Sequence, residues 1–179
     1  MSVFVALLRG VNVGQAKRVA MADWRRLLGD LGFDDVSTLL NSGNAVFRAG
    51  QGQSQQHAAA IQAALASRLG LDVSVTVLAR SRLKAVVKQC VVVLPEADHT
   101  RLLAIFVQDR VDLGALAAIA PLALPPDQFV MGEQAAYLYC AAGILQSRAG
   151  KALLGKAGAS ATTRNWATVL KLHAMAQAL

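Results

Sequence analysis

Apolar and polar positions along this chain follow two different periods, and the switches between them mark out its elements. Val3 to Leu8 is a near-continuous apolar run of strand formers, the pattern of a buried strand. Arg9 to Ala20 follows as a loop punctuated by Gly10, Asn12 and Gly14. Trp24, Leu27, Leu28 and Leu31 then form an i, i+3, i+4, i+7 stripe, with Asp23 in the first turn and Gly32 at the stop, which predicts a helix. Val36 to Leu40 and Ala45 to Arg48 read as strands joined by a tight turn, Asn41-Ser42-Gly43-Asn44. The Gln- and Gly-rich stretch 50–56 reads as a mobile connection. Ile61, Leu65 and Leu69 predict a second helix over 57–69, ended by Gly70, and Val73, Val75 and Val77 alternate with polar residues as in a half-buried strand.

The rest of the chain partly repeats this order. Ser81 opens a helix carrying Leu83, Val86, Val87 and Cys90; a loop spans 95–100; Leu102 to Val107 is a strand; a short helix covers 113–119. Phe129 to Met131 and Ala135 to Cys140 pair around Gly132-Glu133. The end is helical: Thr162-Thr163-Arg164-Asn165 precedes Trp166, Val169, Leu170 and Leu172, so a Thr hydroxyl is expected to cap the helix. The first half spells β-α-β-β-α-β, the ferredoxin-like order. The expectation is an α+β fold of two ferredoxin-like halves, residues 1–79 and 80–179. Each has an antiparallel sheet with helices on one face, and the second is modified by its C-terminal helix.

Composition adds limits. The 179 residues are 55% hydrophobic and 16% charged, as in folded globular domains. No apolar run approaches the ~20 residues that cross a bilayer; the longest, Leu113 to Leu124, is broken by Pro121. The N-terminus lacks the basic segment and cleavage site of a signal peptide, so a soluble, cytoplasmic protein without a membrane partner is expected. The net charge is +7. No acidic residue follows Glu133, and none lies between Asp72 and Glu96, where Arg80, Arg82, Lys84 and Lys88 stand. Such a field favours anions, whether phosphates, carboxylates or nucleic acid.

Standard chemical signatures are absent. Gly10 to Lys17 has neither phosphate-loop nor dinucleotide-loop spacing, and Lys151 and Lys156, each after a Gly, are followed by Ala where a phosphate loop needs a hydroxyl. Cys90 and Cys140 read as small core residues rather than reactive thiols. His57, His99 and His173 have no metal-ligand spacing and read as rim histidines. No cofactor, metal set or catalytic residue is evident.

Three segments concentrate hydrogen-bonding side chains at element ends: Arg9 to Gly14, Asn41 to Asn44, and Thr162 to Trp166. Through them the sequence resembles the domain of unknown function 1697 family. That family's pattern looks like A-L-L-R-G-I-N-V-G-G, a short basic loop, an M-x-x-L helix, an S-G-N-V-F turn and strand, and a T-T-R-N-W-x-T-V helix. Here the matching stretches are Ala6 to Gly14, Met21 to Leu27 with Trp24 where Leu is usual, Ser42 to Phe47, and Thr162 to Val169. Gln15 replaces a common Gly, and Ala20 a common Pro. The resemblance implies the two-halved α+β fold and no activity.

The candidate ligand residues are therefore Arg9, Gly10, Asn12, Gly14, Ser42, Gly43, Asn44, Thr162, Thr163, Arg164, Asn165 and Trp166, expected to line one cleft. Arg9 and Arg164 offer forked donors to a phosphate- or carboxylate-bearing small molecule. Each segment also has a structural reading: positive φ at the glycines, turn closure by the asparagines, capping by the threonines, a core Trp166, and Asp34 or Asp35 as arginine partners. The alternative function is a nucleic-acid-binding module with a basic surface, weak because Phe4 and Phe47, the strand aromatics of the first half, lie in core-like runs. Oligomeric state is not legible in the sequence.

Overall fold

The computed structural model describes residues 1–14 and 17–179, and of Arg110 the backbone alone. The departure from the family pattern at Gln15 therefore lies outside the described residues. The chain divides into two compact units, Met1–Leu83 with Leu172–Leu179, and Lys84–Lys171. Each is α and β mixed around a four-stranded antiparallel sheet.

The first unit runs β1 (Ser2–Leu8), α1 (Met21–Asp30), β2 (Asp34–Leu39), β3 (Asn44–Ala49), α2 (Ser54–Leu69) and β4 (Val75–Ala79). Its strand order is β2-β3-β1-β4, so the apolar β1 is central, pairing Phe4 with Phe47 on one side and Ala79 on the other. Phe4, Ala6 and Leu8, alternate residues of β1, share one core with Trp24, Leu27 and Leu28 of α1 and Ile61 and Leu65 of α2. Each large side chain so buried contributes roughly 1.5–3 kcal/mol. Two boundaries differ from expectation. Asn44 belongs to β3 rather than the turn, and Leu40 to the turn rather than β2, because Leu39 pairs with Asn44 across a loop of residues 40–43. The polar stretch before residue 57 is already helical from Ser54, since Gln56 Oε1 accepts a hydrogen bond from Gln53 N–H at 2.8 Å and satisfies a donor exposed at the helix start.

α3 (Arg80–Gln89) carries the chain onward, ending before Cys90. The second unit contains β5 (Leu102–Val107), a succession of 3₁₀ turns over Arg110–Leu122, β6 (Gln128–Met131), β7 (Ala136–Tyr139), α4 (Arg148–Leu154) and β8 (Ala161–Asn165), after which α5 (Trp166–Ala178) begins. The strand order is β6-β7-β5-β8. Leu103, Ile105 and Val107 of β5 pack with Leu113, Leu116 and Ile119 of the 3₁₀ turns and with Ala149 and Leu153 of α4. The expected Thr cap on the last helix is corrected. Thr162 and Thr163 lie in β8, paired with Phe106 and Ile105, as β-branched residues prefer. The cap is Asn165, whose Oδ1 accepts from Thr168 N–H at 2.9 Å. α4 has no counterpart among the expected elements.

Candidate functional site

In the first unit the loop after β1 and the β2–β3 turn come together. Asn12, at φ 55°, donates through Nδ2 to the carbonyl oxygens of Val19 at 2.9 Å and Asn41 at 2.6 Å, while its Oδ1 accepts from Val19 N–H at 3.0 Å. One side chain thus closes its own loop and ties it to the neighbouring turn. Gly43 completes the junction: its carbonyl accepts from Leu8 N–H at 3.0 Å, and a Cβ there would stand 2.6 Å from Leu8 Cβ and 2.8 Å from Val11 Cγ2. With φ at 73°, only glycine suits this position. Asn44 is fully buried and donates to Leu39 O at 3.0 Å and Ser42 Oγ at 2.9 Å, closing its own turn. Arg9 is half-buried, anchored by its N–H to Ser74 O at 3.0 Å. Gly10 and Gly14 are exposed, both at φ 65°.

The third segment lies in the second unit. Thr162 and Arg164 are alternate residues of β8 and share a face, opposite the one covered by the 3₁₀ turns and α4. That spacing lets Arg164 Nη1 donate to Thr162 Oγ1 at 3.1 Å, and also to Thr163 O at 2.7 Å. Arg164 is only 8% exposed, and desolvation pushes its pKa down to about 10. Trp166 is buried edge-on against Tyr137, with ring centroids 6.1 Å apart, and its backbone N–H donates to His99 O at 3.0 Å. The expectation of one shared cleft draws on both units; the structure brings the first two segments together within the first. Asp35 is held by Arg48 at 3.1 Å.

Two readings of individual residues need correction. His57 is not a rim residue: it is buried among Phe4, Phe33 and Phe47, and burial lowers its pKa. The signal was present, since His57 stands four residues before Ile61 on the stripe that continues to Leu65. Cys140 is a core residue, but Cys90 is half-buried beyond the end of α3; burial raises both thiol pKa values. Among the described residues no group of three His, Cys, Asp or Glu side chains could hold a metal ion. No helix there is long and apolar enough to cross a membrane. The strand aromatics Phe4 and Phe47 stack on each other inside the helix-covered core, centroids 5.8 Å apart.

These features define a mixed α+β protein of two four-stranded antiparallel sheets with polar clusters at strand ends. The chain belongs to the family described as protein of unknown function (DUF1697), whose model matches residues 1–137. The Thr162–Val169 motif lies outside that matched span. The structure of a conserved bacterial protein, SP0830 from Streptococcus pneumoniae, is similar over 98% of both chains with a TM-score of 0.78, at 24% sequence identity, and establishes likeness of fold. No curated protein matches the chain.

Proposed function

We propose that the protein binds a small molecule through its phosphate or carboxylate group, with Arg164 as the principal cation. The observation that carries this reading is a guanidinium nine-tenths buried at a strand end, its direction set by hydrogen bonds to Thr162 Oγ1 and Thr163 O. A desolvated arginine held in one orientation is pre-organised for a planar anionic group. Thr162, Thr163 and Asn165 flank it, and Trp166 fixes the following turn. In the first unit Arg9, Gly10, Asn12, Gly14, Ser42, Gly43 and Asn44 form a second polar cluster suited to the same ligand class. The unopposed basic charge of the sequence after Glu133 supports the preference for anions. We assign each unit to the ferredoxin-like arrangement, a reading supported by the corresponding strand orders β2-β3-β1-β4 and β6-β7-β5-β8. Its placement in the cytoplasm is supported by the two free cysteines.

The test is thermal unfolding in phosphate, sulfate and citrate at constant ionic strength. Saturable stabilisation is expected, about 2.7 kcal/mol at a hundredfold excess over Kd. Arg164→Lys should weaken it and Arg164→Ala remove it. An unaltered protein that none of these anions stabilises, or an Arg164→Ala variant that responds like it, refutes the reading. Salt-resistant nanomolar binding to a defined RNA or DNA would instead put nucleic acid first.

A further inference from the structure

Outside both clusters, the most unusual group is His57 in the first turn of α2. It is 7% exposed, and its ring meets the rings of Phe4, Phe33 and Phe47 edge-on at centroid distances of 4.7, 5.2 and 6.2 Å. Its Nε2 is buried without a hydrogen-bond partner. A groove of about 430 Å³ lies beside it, at the opposite end of β3 from the 40–43 turn, and Phe33, Gly50, Gln51, Gly52 and Gln56 contribute to its walls. Gly52 seals the imidazole: at φ 112°, a Cβ on it would stand 2.8 Å from Cε1 and 3.1 Å from Nε2.

Among the described residues, those that pack on this ring are uncharged. From β1 it meets Phe4, and from β3 Phe47. The groove lining of Leu31, Gly32, Phe33, Ala49, Gln51 and Ala60 carries no charge. The charged residues of neighbouring elements are engaged elsewhere or face solvent. Arg48, between the inward Phe47 and Ala49, pairs with Asp35 at 3.1 Å; Asp34 is exposed; Asp30 of α1 pairs with Arg68 of α2 at 2.8 Å. A proton on His57 would therefore create an imidazolium without a counter-ion, in an apolar setting and at the positive end of α2.

We propose that His57 is an acid-operated latch: neutral, it holds the Gly50–Gln53 segment and the first turn of α2 closed against the sheet, and protonated, it leaves the aromatic pocket and opens that edge. Burial already holds the imidazole below its ordinary pKa, which agrees with this direction. The Gln53–Gln56 hydrogen bond that starts the helix is between neutral groups, so acid acts there through His57.

Hydrogen exchange resolved by residue, corrected for intrinsic rates, tests the latch on the full chain. Protection of residues 50–60 should fall by up to about tenfold per pH unit below about 6.5, while β1, β3 and the second unit keep theirs. His57→Phe, which keeps the ring and removes the titration, should hold protection constant over that range. Undiminished protection at about pH 5, uniform loss through both units, or the same acid response in His57→Phe overturns the proposal. If that variant does not fold, the unaltered protein still decides. A His57 ring signal that titrates near its ordinary pKa of about 6.5 while protection at 50–60 stays intact is fatal to the latch.

Discussion

The first sheet is covered by α1 and α2, of ten and sixteen residues, whereas the second, with strands in the corresponding order, is covered by 3₁₀ turns and the seven-residue α4. The spacing of apolar residues accounts for the difference. In α1 and α2 the buried residues recur at three and four, as in Trp24, Leu27 and Leu28 or Ile61 and Leu65, which matches 3.6 residues per turn. Over Arg110–Leu122 the core residues are Leu113, Leu116 and Ile119, strictly three apart, with the partly buried Leu122 next in line. That spacing lines one side of a helix with three residues per turn, and Pro121 is poorly suited to a regular α-helix interior. A sheet face thus needs an apolar stripe of the right spacing more than it needs a particular helix.

Truncating one leucine in each cover gives the largest expected effects. Leu28 of α1 and Leu116 of the 3₁₀ turns are both fully buried. Leu28→Ala and Leu116→Ala should each cost about 2–5 kcal/mol in denaturant unfolding. A loss below about 1 kcal/mol at Leu116 would break the comparison, by showing that the 3₁₀ cover collapses onto the gap.

Next comes the junction in the first unit between the loop after β1 and the β2–β3 turn. Gly43→Ala places a methyl group against Leu8 and Val11 and an L residue at φ 73°. It should destabilise by about 2–3 kcal/mol. Calorimetry that resolves the two units should show the loss in the unit holding β1. An unchanged melting temperature would mean that the turn relaxes freely.

The smallest contrast sets two asparagines against each other. Asn12→Ala removes three side-chain hydrogen bonds, two closing its own loop on Val19 and one tying that loop to the turn at Asn41, and about 1–2 kcal/mol is expected. Asn165→Ala removes a single cap and should cost about 1 kcal/mol. Equal losses would show that Asn12 ties together segments already held by the backbone.

Strand existence was legible almost throughout, because period-two and continuous apolar runs are local. β5 falls on the expected residues, Leu102 to Val107. Where the structure departs from the local patterns, distant partners decide. Thr162 and Thr163 carry both a cap signature and β-branching, and β5 alongside decided for the strand. Asn44 carries a turn signature, and its pairing with Leu39 and Leu7 decided for β3. His57 looked like a rim residue because the polar stretch before it concealed where α2 begins.

The candidate residues show the same division. The polar segments 9–14, 41–44 and 162–166 stand out in the sequence because hydrogen-bonding side chains cluster where strand and helix patterns stop. The tertiary structure decided what each does. Asn12 reaches Asn41 across 29 positions of chain, and Gly43 must lack a side chain because Leu8 and Val11 occupy its space. Periodicity, charge and turn chemistry are properties of neighbouring residues, so the strands, most of the helices and the basic character of the chain are legible before any folding is considered. Burial, the hydrogen bond from Asn12 to Asn41 and the packing of His57 against Phe4, Phe33 and Phe47 depend on surfaces that folding brings together, which no local pattern encodes.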